Sequence, residues 1–529
     1  MRRRILFYVL LTATLLAGTG QGARAQFALP CRAELPVSED DTPFSIVSLE
    51  RLGVLVVMRQ NDLFSPRAER RLYFYDENLA LRWESALATE SLYRYACYEI
   101  EEDSVRFFLT TLPEKTNLPA FLEIAVCVAD GAYNKRYHTV DVSELHKTDI
   151  ESFAMHGKQM LFLAHTRDAY VQYAFDGATD SLRSVEVASS KDYDLCDVQW
   201  DFASHKTYFL FRDKELREKD LHIVVGDMFS AQMNPLALSS PRSDLRLTDG
   251  RILAAGNDAF LVGGTWNTES SKQHTSHYDR GTETAGLFTC RYENGRQTAF
   301  NLHYYLDFQG VDSLMSAEES YKLNSVRQRA NGRFILPDYL CELYFWAQDG
   351  AFHLMGETYD RLITTTTDVS YDFYGRMMPY TRTSFDGYQY KNAFYTAVDS
   401  AGRDIAASVF DIHHVRRESD RAQITAFVQD TAAGKILYAY LSQGMVFYRS
   451  IGKESGFTPL RSFRLAPSVP NDRVQRTWNE GLLPWYPGCV LSYGYQQILN
   501  PRRKGKSRQN VFYMNKLMIE QRAADDNRD

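Results

Sequence analysis

One pattern recurs along most of this chain: a short apolar and aromatic run, a tight turn that contains Asp, Asn or Gly, and a second run of the same kind. Repeated units of this size, each about four short strands long, predict a β-propeller or a similar array of sheets. The pattern is seen at 160–163 with Asp176-Gly177, at 259–262 with Asn294-Gly295, at 352–355 with Asp349-Gly350, and at 436–440 with the glycines Gly452 and Gly456.

The runs themselves indicate how the sheets are covered. A strand with one wet face alternates apolar and polar residues, whereas a strand that is covered on both faces loses this alternation. The runs 72–75, 107–109 and 208–211 are unbroken, as expected for strands that lie between neighbouring blades. Aromatic residues, 13% of the chain, supply bulk between splayed sheets, and helical periodicity is nearly absent. We therefore predict an all-β fold.

The repeats predict a single propeller over residues 26–521, with seven or eight four-stranded blades and eight favoured, followed by a polar tail at 522–529. A strand from residues 27–37 would complete the last blade and remove its exposed edge. The predicted blades lie at 44–88, 89–142, 150–188, 193–238, 244–306, 339–413, 421–466 and 484–521.

The connections predict one plain face and one loop-rich face. Short Asp/Asn/Gly turns fall between the first and second strands and between the third and fourth. Long insertions fall after second or fourth strands, including 265–283, 307–338, 361–391 and 501–510. The insertion 307–338 contains the only predicted helix, at 313–329. Long loops on a rigid scaffold commonly carry binding functions.

Residues 1–25 have the features of a signal peptide. Three arginines at positions 2–4 precede an apolar stretch at 5–16, and Ala23-Arg24-Ala25 forms a small-residue cleavage site. No later stretch approaches the length of a transmembrane helix. We expect an exported protein, periplasmic or associated with the outer membrane, that is soluble after removal of the signal peptide.

Charge and motifs exclude several classes of function. Residues 1–25 carry four arginines and no acidic residue, so their removal changes the net charge from −7 to −11, which argues against nucleic acid as a partner. The seven cysteines are scattered singly and predict neither a disulfide framework nor a metal site. No nucleophile-elbow, zinc-protease, dinucleotide or P-loop motif occurs. We therefore assign no catalytic residue, metal ligand or cofactor.

Two groups of metal-ligand types are interpreted as ordinary surface residues. His274 and His277 could bind a metal only on a helix with a third ligand nearby, and their Ser, Thr, Gln and Lys surroundings indicate a solvated loop. Asp192, Asp194 and Asp197 lack the glycine and distal glutamate of a calcium loop, and a turn between blades is the favoured interpretation.

The candidate partner-binding residues all belong to the long insertions. Tyrosine and arginine are enriched where proteins bind one another, and the tract around 502–508 is the densest positive charge in the chain. The candidates are Trp266, Tyr278, Tyr371, Tyr374, Arg376, Tyr380, Tyr388, Arg502, Arg503 and Lys504.

The run 349–357, followed by 391–399 and then Gly402, resembles blades of exported bacterial β-propeller proteins. In those blades a D-G turn and an apolar run ending in Gly-Glu precede an aromatic strand and a D-x-x-G turn. The resemblance implies the fold and export, and it carries over no catalytic residue.

These observations favour a non-enzymatic binding or scaffold protein of the bacterial cell envelope. Its loop-rich face would dock another envelope protein, such as an outer-membrane or secretion assembly. The alternative is a glycan- or peptide-acting enzyme, or a lectin, with its site at the mouth of the central channel. Convergent carboxylates or histidines in a central pocket would favour the enzyme, and a broad apolar-aromatic patch would favour docking.

Overall fold

A computed structural model describes most of the chain between residues 27 and 519. The described residues are 27–37, 44–60, 67–112, 116–141, 148–214, 221–230, 232–256, 258–268, 284–308, 310–311, 340–348, 350–371, 373–374, 376–413, 415–417, 421–430, 435–452, 456–469, 471–500 and 508–519. The predicted helix at 313–329 lies outside them. Within this described part, no helix has the length and apolarity needed to cross a membrane.

The described strands form eight antiparallel sheets that follow one another along the chain, which confirms the all-β propeller prediction and favours eight blades. Two short 3₁₀ turns, Glu50–Leu52 and Tyr305–Asp307, accompany them. The first strand, β1, is Phe27–Val37. Blade 1 contains β2 (Phe44–Ser48), β3 (Val54–Gln60), β4 (Arg67–Tyr75) and β5 (Leu81–Glu90). Blade 2 contains β6 (Arg94–Glu101), β7 (Ser104–Thr110), β8 (Phe121–Cys127) and β9 (Tyr133–His138). Blade 3 contains β10 (Asp149–His156), β11 (Gln159–His165), β12 (Ala169–Asp176) and β13 (Ser181–Ser189). Blade 4 contains β14 (Tyr193–Asp201), β15 (Lys206–Asp213), β16 (Leu221–Asp227) and β17 (Met233–Leu238).

The second half of the chain continues in the same way. Blade 5 contains β18 (Leu245–Gly256), β19 (Ala259–Thr268), β20 (Gly286–Glu293) and β21 (Arg296–Tyr304). Blade 6 contains β22 (Leu340–Gln348), β23 (Ala351–Tyr371), β24 (Met377–Asp399), β25 (Asp404–Asp411) and the two-residue β26 (Arg416–Arg417). Blade 7 contains β27 (Thr425–Asp430), β28 (Lys435–Ser442), β29 (Met445–Gly452), β30 (Gly456–Phe457) and β31 (Arg461–Arg464). Blade 8 contains β32 (Arg473–Tyr486), β33 (Cys489–Leu499), β34 (Arg508–Ile519) and, as its fourth strand, β1.

The pairing of β1 with β34 joins the two ends of the described chain. The register runs antiparallel from Phe27 opposite Ile519 to Val37 opposite Asn510, as predicted for residues 27–37. The Arg32 guanidinium donates to the side-chain oxygens of Asn515 at 3.2 Å and Gln496 at 2.7 Å. The strand β1 therefore supplies the fourth and outermost strand of blade 8, so that β34 is paired on both sides.

Hydrophobic clusters between blades close the ring. Each pair of neighbouring blades shares one, including the pair formed by blades 8 and 1. At that last junction the ring of Phe44 lies 5.5 Å from Tyr495 and 4.8 Å from Phe512, and Trp485 Nε1 donates to the Gly53 carbonyl at 3.2 Å. A chain of shared cores without a break between blades is a closed toroid.

The connections are distributed unequally between the two faces. Tight turns link first to second and third to fourth strands, as at Asn294 and Gly295, whose φ angles of 51° and 74° suit an Asn-Gly hairpin. The longest connections, 269–285 and 305–339, follow a second and a fourth strand. Blade 7 is an exception, because the two-residue strand β30 lies between its third strand, β29, and β31. Because strand direction alternates, the longest connections leave from one face, which we call the loop-rich face.

Candidate functional site

The most prominent feature of the loop-rich face is a two-stranded β-ribbon. Residues 361–391 were predicted to be a long irregular insertion, and that prediction is wrong. β23 and β24 continue beyond the sheet and pair with each other as far as Tyr371 opposite Met377, so only a short connection joins them at the tip. We call residues 361–388 the ribbon.

The local sequence explains why this segment is extended. Four consecutive threonines at 364–367 are β-branched and favour strand geometry. One extra residue, Asp386, lies where the register shifts, between the pairs Leu362–Gly387 and Ile363–Phe385. Its carboxylate accepts hydrogen bonds from the hydroxyls of Thr364 and Ser384. A bulge of this kind bends a ribbon away from the plane of its sheet.

The two faces of the ribbon differ in charge. Directly opposed residues of an antiparallel pair lie on the same face, so the register divides the side chains unambiguously. One face, the uncharged face, carries only apolar side chains, proline and threonine. Its opposed pairs are Ile363–Phe385, Thr365–Thr383, Thr367–Thr381, Val369–Pro379 and Tyr371–Met377. The other face carries Arg382 opposite Thr366 and Asp368 opposite Tyr380, and is polar.

The tip of the ribbon is strongly exposed and apolar. Phe373 is 99% exposed and Tyr374 80% exposed, and Met377 is 64% exposed. The two aromatic rings meet edge to face at 5.7 Å. Among the described residues, no third strand pairs with β23 along 363–371. The ribbon therefore presents exposed apolar side chains together with an open strand edge.

Four of the predicted partner-binding residues lie together on this ribbon. Tyr371, Tyr374, Arg376 and Tyr380 are all exposed, and the Arg376 guanidinium lies over the Tyr374 ring at 5.9 Å.

Two other predicted residues are interior. Trp266 is 1% exposed: it ends the buried stretch of β19, and its Nε1 donates to the carbonyls of Leu287 at 3.0 Å and His303 at 3.3 Å. Tyr388 is 5% exposed and packs against Tyr359 at 5.3 Å. Neither can contact a partner directly in this fold. The remaining candidates, Tyr278, Arg502, Arg503 and Lys504, lie outside the described residues.

The base of the ribbon is anchored in the interior by a buried carboxylate that the sequence analysis did not single out. Glu357 on β23 is fully buried. It accepts hydrogen bonds from the backbone nitrogens of Ile424 at 2.8 Å and Thr425 at 2.7 Å, and from the Thr425 hydroxyl at 2.6 Å. Burial raises the pKa of Glu357 to about 7, although these donors act in the opposite direction. Glu357 thus ties blade 6 to the first strand of blade 7.

Carboxylates also gather on the innermost strands of blades 4 to 6, where they are paired with arginine. Arg251 on β18 donates to the Cys196 carbonyl of blade 4 at 3.1 Å and to Glu342 of blade 6 at 3.1 Å. Burial alone would lower the pKa of Arg251, but Asp249, Asp197 and Glu342 raise it. Carboxylates engaged in this way hold three blades together, which is a structural role.

The described part of the chain contains neither a cluster of metal-ligand side chains nor a reactive cysteine pair. No group of three or more His, Cys, Asp or Glu side chains is arranged to hold a metal ion there. Asp194 and Asp197 lie in strand β14 rather than in a turn, and Asp197 accepts a hydrogen bond from the Ile252 backbone nitrogen at 2.8 Å. All seven cysteines are free. Burial raises the pKa of the Cys97 thiol to about 12 and that of Cys489 to about 11, so both are unreactive.

Comparison with known proteins adds only remote likenesses. No protein-family model and no curated protein matches the sequence. The periplasmic gluconolactonase of Pseudomonas aeruginosa aligns with 78% of this chain and 99% of that protein, at 9% identity and a TM-score of 0.34. The β-propeller domain of the trilobed protease from Pyrococcus furiosus aligns with 80% of this chain and 93% of that domain, at 12% identity and a TM-score of 0.30. A prolyl endopeptidase aligns with 78% of this chain at 9% identity and a TM-score of 0.28. This chain spans only 55% of the length of that protein.

The class defined by the strands is therefore an eight-bladed β-propeller with a projecting ribbon. None of these likenesses assigns a function to it. The resemblance to exported bacterial β-propeller proteins extends to the fold, and no sequence match supports it further.

Proposed function

We propose that this protein is a non-enzymatic binding or scaffold protein, exported to the bacterial cell envelope, that docks another envelope protein through the ribbon. The observation that carries the proposal is the uncharged face of the ribbon, with the exposed aromatic tip beside it. Exposed apolar surface of this kind is typical of protein–protein contact sites. An open strand edge offers backbone hydrogen bonds to an added strand as well.

A protein partner fits the ribbon better than a lipid surface does. The uncharged face carries two threonine pairs, Thr365–Thr383 and Thr367–Thr381, between apolar pairs. Its middle therefore offers hydroxyl groups that can pair with the backbone or side chains of a docked strand. Arg382 and Asp368 on the opposite face give the ribbon charges of both signs. The ribbon therefore has no excess of positive charge of the kind that attracts anionic membranes.

An enzyme or lectin at the channel mouth has less support. The carboxylates of the innermost strands in blades 4 to 6 are engaged with basic side chains or with backbone nitrogens. A broad apolar-aromatic patch was the feature expected to favour docking, and the exposed apolar side chains of the ribbon supply it.

The two faces of the ribbon allow a matched test. Thr367 and Thr366 are neighbours of the same residue type, both exposed and on opposite faces. We expect Thr367→Lys to place a charge in the docked surface and weaken partner capture at least tenfold. Thr366→Lys adds the same charge to the polar face and should leave capture within about twofold of wild type. Capture is measured by crosslinking in intact cell envelopes, with the captured protein identified by mass spectrometry.

Two outcomes would contradict this function. Equal loss, or equal retention, of the same captured protein in both variants would show that the uncharged face is not the contact surface. Recovery of the wild-type protein only as a free species would remove the scaffold role itself.

A further inference from the structure

A second feature, independent of the ribbon, is a cavity between blades 1 and 2. Its volume is about 160 Å³, close to that of a cavity that accepts a single benzene ring. Its walls come from both blades and are apolar, and include Val57 and Leu72 of blade 1 and Phe107 and Leu109 of blade 2. Leu72 is fully buried, and Phe107 and Leu109 are 6% and 2% exposed.

The mouth of the cavity lies on the innermost strands. Tyr95 and Tyr98 of β6 line it, yet they are 48% and 39% exposed. They lie opposite Leu109 and Phe107 in the β6–β7 register, and so face the gap toward blade 1. Half-exposed aromatic side chains in front of a buried apolar wall place the open side of the cavity at β6, the first strand of blade 2.

One charged side chain reaches the lining, and it already has neutral partners. Arg70 is 7% exposed and donates to the Thr89 hydroxyl and, at 2.9 Å, to the Tyr93 carbonyl. No carboxylate or histidine lines the cavity. Apart from Arg70, the lining therefore suits an uncharged ring, because a cationic ligand group would lose its hydration there without a carboxylate partner.

We propose that this cavity is a binding site for a small, uncharged, monocyclic aromatic compound. The compound enters at the open side, places its ring against Leu72, Phe107 and Leu109, and leaves any polar substituent near the tyrosines at the mouth. Aromatic side chains at the entrance suit such a ligand because rings pack edge to face or with an offset. A ligand of six or seven heavy atoms that is held by burial alone gives a Kd on the order of 0.1–1 mM.

The test uses the full-length protein and toluene as the probe. Toluene should raise the melting temperature of wild type in a saturable way, because it binds the folded state. Val57→Phe places a ring inside the cavity and should abolish this shift. Ile405→Phe, at a 52% exposed position in blade 6, adds the same ring elsewhere and should keep it.

A second variant keeps the test decisive if Val57→Phe does not fold. Leu109→Ala enlarges the cavity, so naphthalene should bind it at least tenfold more tightly than it binds wild type. No saturable toluene shift in wild type, an undiminished shift in Val57→Phe, or unchanged naphthalene affinity in Leu109→Ala would each overturn the proposal.

Discussion

Replacing Glu357 by glutamine tests the contact that joins the ribbon blade to its neighbour. The carboxylate is fully buried and receives three hydrogen bonds from Ile424 and Thr425. Glutamine has nearly the same shape but cannot ionise. It also turns an NH₂ group toward backbone donors, which costs a hydrogen bond at every pH. The pH dependence therefore separates the effect of the charge from the effect of the lost hydrogen bond.

The magnitude follows from the pKa. Raising the pKa of a carboxyl group from 4.5 to about 7 on folding corresponds to about 3 kcal/mol, since each pKa unit is worth about 1.4 kcal/mol. Below pH 4.5 both states are protonated and Glu357 has no such effect. Between pH 4.5 and 7 the folded state binds more protons than the unfolded state, so the free energy of unfolding falls as pH rises. Above pH 7 the full cost of the buried charge is present.

The assay is urea unfolding of wild type and Glu357→Gln at several pH values from 5 to 8.5. Relative to wild type, the variant should gain about 2.5 kcal/mol between pH 5 and 8.5, because only wild type ionises the buried group and a small part of that cost is already present at pH 5. Glu84→Gln, at a half-exposed blade 1 position, is the control and should follow wild type. Parallel pH profiles for wild type and Glu357→Gln would refute the argument, and would mean that the three donors keep Glu357 ionised in the folded state throughout.

Three further predictions concern the ring. Arg251→Ala should lower the free energy of unfolding by about 2 kcal/mol or more in urea titrations, because it leaves Glu342 and the nearby aspartates without their shared cation. Removal of 27–37 should expose the edge of β34 and cause self-association in size-exclusion chromatography, and a synthetic peptide of the same residues should restore the monomer. Trp266→Ala should cost about 3–5 kcal/mol in the same unfolding assay, as expected when a large core side chain is removed, and stability unchanged from wild type would contradict its burial.

The repeated sheets could be predicted because their signals are local. Asn294-Gly295 favours positive φ wherever it occurs, and unbroken runs such as 208–211 are apolar because both faces of the strand are covered. Closure of the ring was also predictable, since residues 27–37 form a strand without a partner in their own repeat. The signals repeat in every blade, so one ambiguous strand does not alter the fold.

The ribbon was missed because two kinds of information conflicted. The length of 361–391 and its many polar residues are typical of a loop, and this outweighed the β-branched run at 364–367. A sequence alone does not show that the strand partner of this run begins about fifteen residues later, at 381–384. The β-branched residues on both sides of the connection between the two strands, Ile363 and the threonines at 364–367 before it and Thr381 and Thr383 after it, were the available signal.

The two predicted partner-binding residues that are buried show a different limit of prediction from sequence. Trp266 and Tyr388 are of residue types that are common at protein–protein contacts. Whether a large aromatic side chain faces a partner or the protein interior, however, depends on packing between segments that are distant in sequence. Trp266 is covered by β20 and β21 of its own blade, and Tyr388 by Tyr359 of the paired strand. Composition identified Tyr371, Tyr374 and Tyr380 just as it identified these two, and only their packing in the folded chain separates the two groups.

The ribbon also has a consequence for how binding can change without loss of the fold. Its two strands are continuous with the second and third strands of blade 6, so their bases are held by Tyr388, by Tyr390 and by Glu357, all in the interior. Beyond Ile363 nearly every side chain is exposed and makes few contacts with the propeller. Substitutions at 363–383 should therefore alter recognition at little cost in stability, whereas substitutions at the base should affect both. A ribbon shortened to Ile363 and joined to its opposite residue Phe385 by a two-residue turn keeps the base intact, so it should keep the melting temperature of the propeller within a few degrees and lose partner capture. A collapse of the melting temperature would show that the exposed part of the ribbon supports the ring.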